Sequence, residues 1–261
     1  MKRELVSQDA WGHLKQYTQA RISLGRAGSS LPTQEILNFG AAHALARDAV
    51  HTHFESAQLA QSLETAGFTT LQVQSRAPDR HTYLLRPDMG RSLSEPSANQ
   101  LIDHPEKEFD LLLVVGDGLS SLAVHNHSQV LLESVRSIVP NTWRLSPVVL
   151  ASQARVAISD EIGAALKAKV VAMLVGERPG LSSPDSLGVY ITYAPKPGRH
   201  DGERNCISNI RPEGLSYRDA AKKIVWLVNE AMRLGLSGVG LKDESEMVNV
   251  AATLVTALPK P

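Results

Sequence analysis

Phe109-Asp110-Leu111-Leu112-Leu113-Val114-Val115-Gly116-Asp117-Gly118-Leu119-Ser120 is the stretch on which the reading of this chain turns. Five consecutive apolar residues, Leu111–Val115, leave no polar alternation, which is the pattern of a strand buried on both faces. Gly116-Asp117-Gly118 then supplies a tight turn. Beyond it Val124, Val130, Leu131, Val135 and Ile138 recur at helical spacing until Pro140 closes the segment. The same order repeats downstream. Val148–Ala151 is a second apolar run, followed by helical spacing at Ile162, Leu166 and Ala168. Val170–Val175 is a third, ending in Gly176-Glu177-Arg178-Pro179-Gly180-Leu181. Leu187–Tyr193 is a fourth, and Ala220–Leu234 carries a long closing helix. Strands alternating with helices predict an α/β fold in which helices cover a parallel sheet.

Upstream of residue 95 the pattern is mainly helical. Leu14, Tyr17, Ile22 and Leu24 recur roughly at helical spacing. Thr33 reads as the N-cap of a second helix carrying Ile36, Leu37, Phe39, Leu45 and Val50, with Glu35 in its first turn. A third helix holds Leu59, Leu63 and Ala66 and stops at Gly67. Two short runs, Thr70–Gln74 and Thr82–Leu85, read as extended. The expectation is a smaller, mainly helical N-terminal domain over 1–95, a sheet domain over 96–240 and a tail over 241–261. In the tail, Leu241, Met247, Val248, Val250 and Leu254 suit an amphipathic helix or a loosely ordered end.

Charge and composition exclude several functions. Twenty-seven basic residues balance twenty-seven acidic ones among 261, so the chain lacks the basic excess that phosphate backbones demand. Nucleic acid is not an expected partner. The single cysteine, Cys206, has no partner for an internal disulfide, which suits a reducing cytoplasm. No run reaches the ~20 apolar residues of a membrane span. Met1–Glu4, followed by Ser7, Gln8 and Asp9, contains no apolar core of a secretory signal.

In parallel sheets ligands sit beyond the carboxyl ends of the strands. That rule selects Gly116–Ser120, Gly176–Leu181 and Asn205–Asn209. A dinucleotide fingerprint would need glycine at 121, where Ser121 stands, and an acidic residue after the next strand, where Val148–Ser152 offers none. No glycine loop leads into Lys and Ser/Thr as a phosphate-cradling loop requires. His125 and His127 lie two apart on a helix and point to different sides. Cys206 has no second thiol for a metal cluster and no marked base to activate it, so a buried, inert role is its default. No G-x-S-x-G elbow appears. The residues predict a ligand-binding domain with clustered loops, no metal ligand set and no catalytic acid, base or nucleophile.

Five segments in register over most of the chain then carry a family resemblance. They are Arg86-Pro87-Asp88-Met89-Gly90-Arg91, Gly116-Asp117-Gly118-Leu119-Ser120, Arg155-Val156-Ala157-Ile158-Ser159-Asp160-Glu161-Ile162-Gly163, Gly176-Glu177-Arg178-Pro179-Gly180-Leu181 and Asn205-Cys206-Ile207-Ser208-Asn209-Ile210. Together, between about Trp11 and Leu234, they resemble the small (light) subunit of ethanolamine ammonia-lyase. The resemblance implies a Rossmann-like sheet domain that binds adenosylcobalamin jointly with a large, TIM-barrel catalytic subunit, in a hetero-oligomer of several large and small subunits. It implies the conversion of ethanolamine to acetaldehyde and ammonia by radical chemistry, with this chain inactive alone. Cofactor-contacting positions of the family fall on Val156, Glu177 and Cys206. Glu177 would accept an N–H from a peripheral amide of the corrin, a charge-assisted bond worth about 1.5–3 kcal/mol. A surface salt bridge with Arg178, worth little, is the alternative for that carboxylate. Val156 and Cys206 would supply apolar contact or backbone donors.

Some cobalamin proteins replace the cofactor's own lower base with a histidine from a D-x-H-x-x-G motif. Asp79-Arg80-His81 begins such a motif, but Leu84 stands in the glycine position. The resemblance therefore implies base-on cofactor, with benzimidazole as lower cobalt ligand. A longer amino-terminal extension, associated in some members with packaging into bacterial microcompartments, does not precede the first shared helix, which puts packaging in doubt. A cobalamin or nucleotide binding protein without lyase activity is the alternative function.

Overall fold

The computed structural model describes residues 5–246, so Met247, Val248, Val250 and Leu254 of the expected tail helix lie outside the described residues. Six strands form one sheet: β1 (Thr70–Gln74), β2 (Leu111–Gly116), β3 (Val148–Ser152), β4 (Val170–Gly176), β5 (Leu187–Tyr193) and β6 (Arg204–Ile210). Their order across the sheet is β1-β3-β2-β4-β5-β6. The first four are parallel, with Leu111 beside Val170 and Thr70 beside Val148. β5 and β6 run antiparallel, with Val170 beside Tyr193 and Tyr190 beside Cys206.

The expectation of a parallel sheet is therefore corrected: the sheet is mixed. The reason lies in the connections. Parallel neighbours need a crossover of a dozen or more residues, usually a helix. Helices α5 (Ser121–Ile138) and α6 (Ile158–Ala165) supply this between β2, β3 and β4. Between β4 and β5, and again between β5 and β6, no α-helix intervenes, and the chain turns back on itself.

Helices cover both faces. Leu111, Leu113 and Val115 of β2 point with Ala172 and Leu174 into a core shared with α2 (Ser56–Thr65), α5 and α7 (Tyr217–Leu234). Leu112 and Val114 point the other way, with Val149, Val171 and Met173, against α6 and Leu101 of α4 (Glu95–Ile102). Burial on both sides explains the unbroken apolar runs. The helix ends follow local chemistry. Ser120 caps α5 by accepting the Ala123 N–H at 3.2 Å, Ser216 caps α7 through Asp219, and left-handed Gly235 terminates α7.

The segment before residue 95 contributes directly to this body: β1 is an edge strand of the sheet, and Leu59, Ala60 and Leu63 of α2 join its core. Three local readings are revised. Thr82–Leu85 is not extended but lies in helix α3 (Arg80–Leu85), because the Asp79 carboxylate accepts the Thr82 N–H at 2.8 Å and starts a helical turn. The first expected helix shrinks to a 3₁₀ segment, Gly12–Tyr17. Thr33 is the first residue of helix α1 (Thr33–His51) and makes no side-chain cap there. Only Ala49 of α1 is buried, although the helix carries several large apolar residues.

Candidate functional site

A cleft of about 490 Å³ opens at the carboxyl ends of the parallel strands. Gly118 and Leu119 after β2, Ala154, Arg155 and Val156 after β3, and Glu177 and Arg178 after β4 line it, with Tyr83 and Tyr190 at its sides. Its position follows from topology. The chain leaves β2 for β3 on one side, while β4 lies on the other side and leads away to β5. The strand ends at this divergence are where open α/β sheets hold ligands.

Two glycines let the loops meet. Gly118 has φ of +56°, and a Cβ there would strike the Gly176 carbonyl and the Val175 side chain. A Cβ on Gly176 would in turn strike the Ser120 carbonyl. With both side chains absent, the Leu119 N–H donates to the Gly176 carbonyl at 2.9 Å. The Gly116–Ser120 turn is thus fastened to the end of β4, backbone against backbone, where a larger residue would hold the two loops apart.

Asp117 organises the other wall. It is completely buried, and Oδ1 accepts the Ala154 N–H at 2.8 Å. Arg80 lies 3.5 Å from Oδ2 and also donates to the Gly118 carbonyl at 2.8 Å. Burial pushes the Asp117 carboxyl up to about 6, against the opposing pull of the Ala154 N–H and of Arg80. By holding Ala154, Asp117 sets the backbone that presents Arg155 and Val156. The turn is supported from below as well. Tyr83 donates its hydroxyl to the Ala154 carbonyl at 3.2 Å, and the Arg155 N–H donates to the Gly90 carbonyl at 2.8 Å. The Arg155 guanidinium stacks over the Tyr83 ring at 4.6 Å. A Cβ on Gly90 would press on both Tyr83 and Arg155, which gives the glycine of Arg86–Arg91 its structural reason.

Glu177 lies on the opposite wall. Its backbone N–H donates to the Ser186 carbonyl at 3.0 Å, and its Oε2 accepts the Asn209 N–H at 3.2 Å. The carboxylate rests over Gly188, where a Cβ would crowd it. Asn209 reaches it because a register shift between β5 and β6 puts an extra residue in β6, with Asn209 at φ of +58°. Among the described residues Glu177 forms no ion pair, with Arg178 or any other cation, and its Oε1 accepts no hydrogen bond.

Val156, half-buried, and Glu177 therefore stand on facing walls of one cleft. Cys206 does not line it. The expected loop Asn205–Asn209 is part of strand β6, and Cys206 pairs there with Tyr190, whose ring lines the cleft. The expectation of a buried cysteine is corrected too: Cys206 is exposed, whereas Arg204, two residues earlier on the same face of β6, is the residue buried against Asp160 of α6. The thiol is nonetheless pushed up, first by the desolvating protein around it, against the lowering hydrogen bond of Tyr190, with the Glu177 carboxylate adding to the rise. Tyr190 itself is pushed up to about 12, chiefly by burial.

One further pair locks the geometry. Arg204 of β6 makes two 2.7 Å bonds to Asp160 of α6, and both side chains are buried. It joins the strand bearing Cys206 to the helix that follows Val156. Tyr83 and Arg204 carried no mark in the sequence; Arg155 and Asp160 lie in the family segment Arg155–Gly163 without a role read for either, and Tyr190 alternates with Val189 and Ile191 and so faces away from their core. Among the described residues no group of three or more His, Cys, Asp or Glu side chains could hold a metal, and no helix is long and apolar enough to cross a membrane.

The family model described as "Ethanolamine ammonia-lyase light chain (EutC)" matches residues 8–242, a span containing every residue of the cleft. The chain belongs to the ethanolamine ammonia-lyase light chain family. The ethanolamine ammonia-lyase small subunit of Xanthomonas campestris pv. campestris is 53% identical over 243 residues, covering 92% of this chain and 89% of the relative. That of Pseudomonas fluorescens is 53% identical over 250 residues, covering 94% and 91%. That of Ralstonia nicotianae is 52% identical over 246 residues, covering 93% and 91%. Light-chain membership thus extends over the parallel strands, the antiparallel extension and the cleft alike.

Proposed function

We propose that this light chain holds one side of adenosylcobalamin in the Val156–Glu177 cleft, while the large subunit of ethanolamine ammonia-lyase covers the other side and binds ethanolamine. The observation that carries the reading is the pairing of those two residues on facing walls of a strand-end cleft in a chain of this family. The parallel strands serve as a Rossmann-like platform for the cofactor.

The residues present fit such a group. A corrin presents apolar faces fringed by amides. The cleft offers Leu119, Val156, Val175 and the Tyr83 and Tyr190 rings beside polar groups with unused capacity. The buried Arg155 Nε has no partner among the described residues, and Glu177 Oε1 accepts nothing. An unpaired buried group such as Arg155 Nε costs free energy until a ligand satisfies it. Glu177 would accept an amide N–H, held in place by Asn209 and Gly188. Val156 would press on the apolar edge of the macrocycle. Cys206, one strand further out, would make contact beside Tyr190. When bound, adenosylcobalamin supplies the radical that starts the conversion of ethanolamine to acetaldehyde and ammonia.

This chain's own part is binding, orientation and the exclusion of water from its side of the cofactor. In this reading the acid and base of the reaction belong to the large subunit, and the light chain is inactive without it. The cofactor would keep its own benzimidazole, since Leu84 breaks the D-x-H-x-x-G pattern begun by Asp79-Arg80-His81. Coexpression with the large subunit and an ammonia-release assay with adenosylcobalamin tests the reading. Turnover is expected only when both chains are present. Turnover by either chain alone, or cofactor binding by the complex with no turnover, refutes it.

A further inference from the structure

Among the described residues five arginines are buried or half-buried: Arg80, Arg155, Arg199, Arg204 and Arg211. A charge withdrawn from water is costly unless an opposite charge compensates it. Four of the five are compensated, Arg80 by Asp117, Arg199 by Glu203, Arg204 by Asp160 and Arg211 by Glu213. Arg155, on the wall of the cleft, forms no ion pair among the described residues. Its guanidinium makes a single hydrogen bond there, from Nη2 to the Tyr83 carbonyl at 3.1 Å, and the buried Nε has no partner. The side chain is nonetheless held in place. It lies over the Tyr83 ring at 4.6 Å, with Arg80 4.8 Å from the same ring, and the Tyr83 hydroxyl is tied to the Ala154 carbonyl. A half-buried cation that is fixed on a cleft wall and lacks a carboxylate is prepared for an anion brought by the ligand.

We propose that Arg155 takes the phosphodiester of the cofactor's nucleotide loop. The proposal rests on the functional reading above and names the group that this wall of the cleft holds. Chemistry selects that group. The peripheral side chains of cobalamin end in neutral amides, and the phosphodiester is the one anion among them. Ethanolamine, the substrate in that reading, is a cation at neutral pH and is repelled by this wall. A planar guanidinium meets two phosphate oxygens with parallel N–H bonds, and one already oriented by stacking loses little freedom on binding. Arg178, the other cation lining the cleft, lacks that preparation: it is exposed and forms no ion pair among the described residues. The phosphodiester lies on the benzimidazole side of the corrin, so the light chain faces that side of the cofactor.

Two analogues isolate the phosphate. Adenosylcobinamide and adenosylcobinamide phosphate both lack the benzimidazole and differ in the phosphate alone. The complex of this chain with the large subunit would be titrated with each by equilibrium dialysis, as wild type and as Arg155→Met, Arg155→Lys and Arg178→Met, with sedimentation reporting assembly. The wild-type complex is expected to bind the phosphate-bearing corrinoid about tenfold or more tightly. Arg155→Met erases that preference. Arg155→Lys, which keeps the charge without the planar fork, retains part of it, and Arg178→Met leaves it in place. The preference is a ratio between two ligands of one protein, so a general loosening of the cleft cancels from it. Should Arg155→Met not assemble, the wild-type preference and its partial loss in Arg155→Lys decide the question. A wild-type complex without the preference overturns the phosphate assignment and leaves the cleft reading standing. So does a preference that survives Arg155→Met, or one that Arg178→Met removes equally, the mark of a diffuse positive field. Failure of the wild-type complex to bind adenosylcobalamin at all overturns the functional reading and this proposal with it.

Discussion

Replacing Arg204 with Met probes the pair that holds the two sides of the cleft together. The side chains have similar length, so the change removes charge and hydrogen bonds while keeping most of the volume. Asp160, 2% exposed, loses both of its 2.7 Å bonds and stays as an uncompensated buried charge. Removing one partner of a buried pair costs about 3–5 kcal/mol. Asp160 lies in the first turn of α6, where the helix dipole favours a carboxylate and returns about 1 kcal/mol. The net loss is about 2–4 kcal/mol. At about 2–4 °C per kcal/mol for a domain of this size, the melting temperature falls by about 4–16 °C. Differential scanning calorimetry on the isolated chain reads it directly. The double variant Arg204→Met/Asp160→Leu removes both charges and recovers most of the loss, since two well-packed apolar residues replace a buried pair at little cost. A single variant within 1 kcal/mol of wild type, or a double variant worse than the single, would refute the account of this pair.

Three other substitutions follow from the same geometry. Gly118→Ala meets both a left-handed φ and the Gly176 carbonyl, so it costs more than the ~1–2 kcal/mol of the backbone conformation alone and forces the cleft floor apart; urea denaturation and cofactor titration should both record the loss. Glu177→Ala in the complex weakens adenosylcobalamin binding about 10- to 150-fold by equilibrium dialysis, while Glu177→Gln, which keeps an acceptor but not the charge, loses less. Stability of the isolated chain should barely change in either, because Asn209 is exposed to water. Asp117 gives a pH signature. Its carboxyl is raised from 3.8 to about 6, so protonation is favoured in the folded state; its contribution is whole below pH ~4 and is lost as pH rises through ~6, of order 3 kcal/mol. Asp117→Asn should flatten that part of the stability–pH curve, and a wild-type curve that instead climbs steadily from pH 4 to 6 with the variant would contradict the assignment.

What the sequence made legible depended on where burial was complete. β2, β3 and β4 announce themselves because both faces are covered and every residue must be apolar. β6 did not, since Cys206, Ser208 and Asn209 are exposed on it and its polar composition reads as a loop. The antiparallel turn-back of β5 was hidden for a related reason: direction is set by the connection, and an apolar run looks the same in either sense. Thr82–Leu85 misled because a β-branched residue and an aromatic outweighed the Asp79 cap in front of them. At the candidate site, Glu177 was reachable through the strand-end rule and the family motifs, and Val156 through the family segment Arg155–Gly163 alone. Tyr83 and Arg204 were not, and the part played by Arg155 was not, because each acts through contacts with residues far away in sequence, such as the 71 positions that separate Tyr83 from Ala154.

The most direct measurement of the central claim is the affinity of the two-chain complex for adenosylcobalamin when Val156 is changed to Trp. The residue is half-buried and faces the cleft, so an indole there fills space the cofactor would occupy, while α1 and the rest of the surface are untouched. The account predicts a complex that still assembles but binds the cofactor at least a hundredfold more weakly. Wild-type affinity in an intact Val156→Trp complex would place the cofactor elsewhere and contradict it.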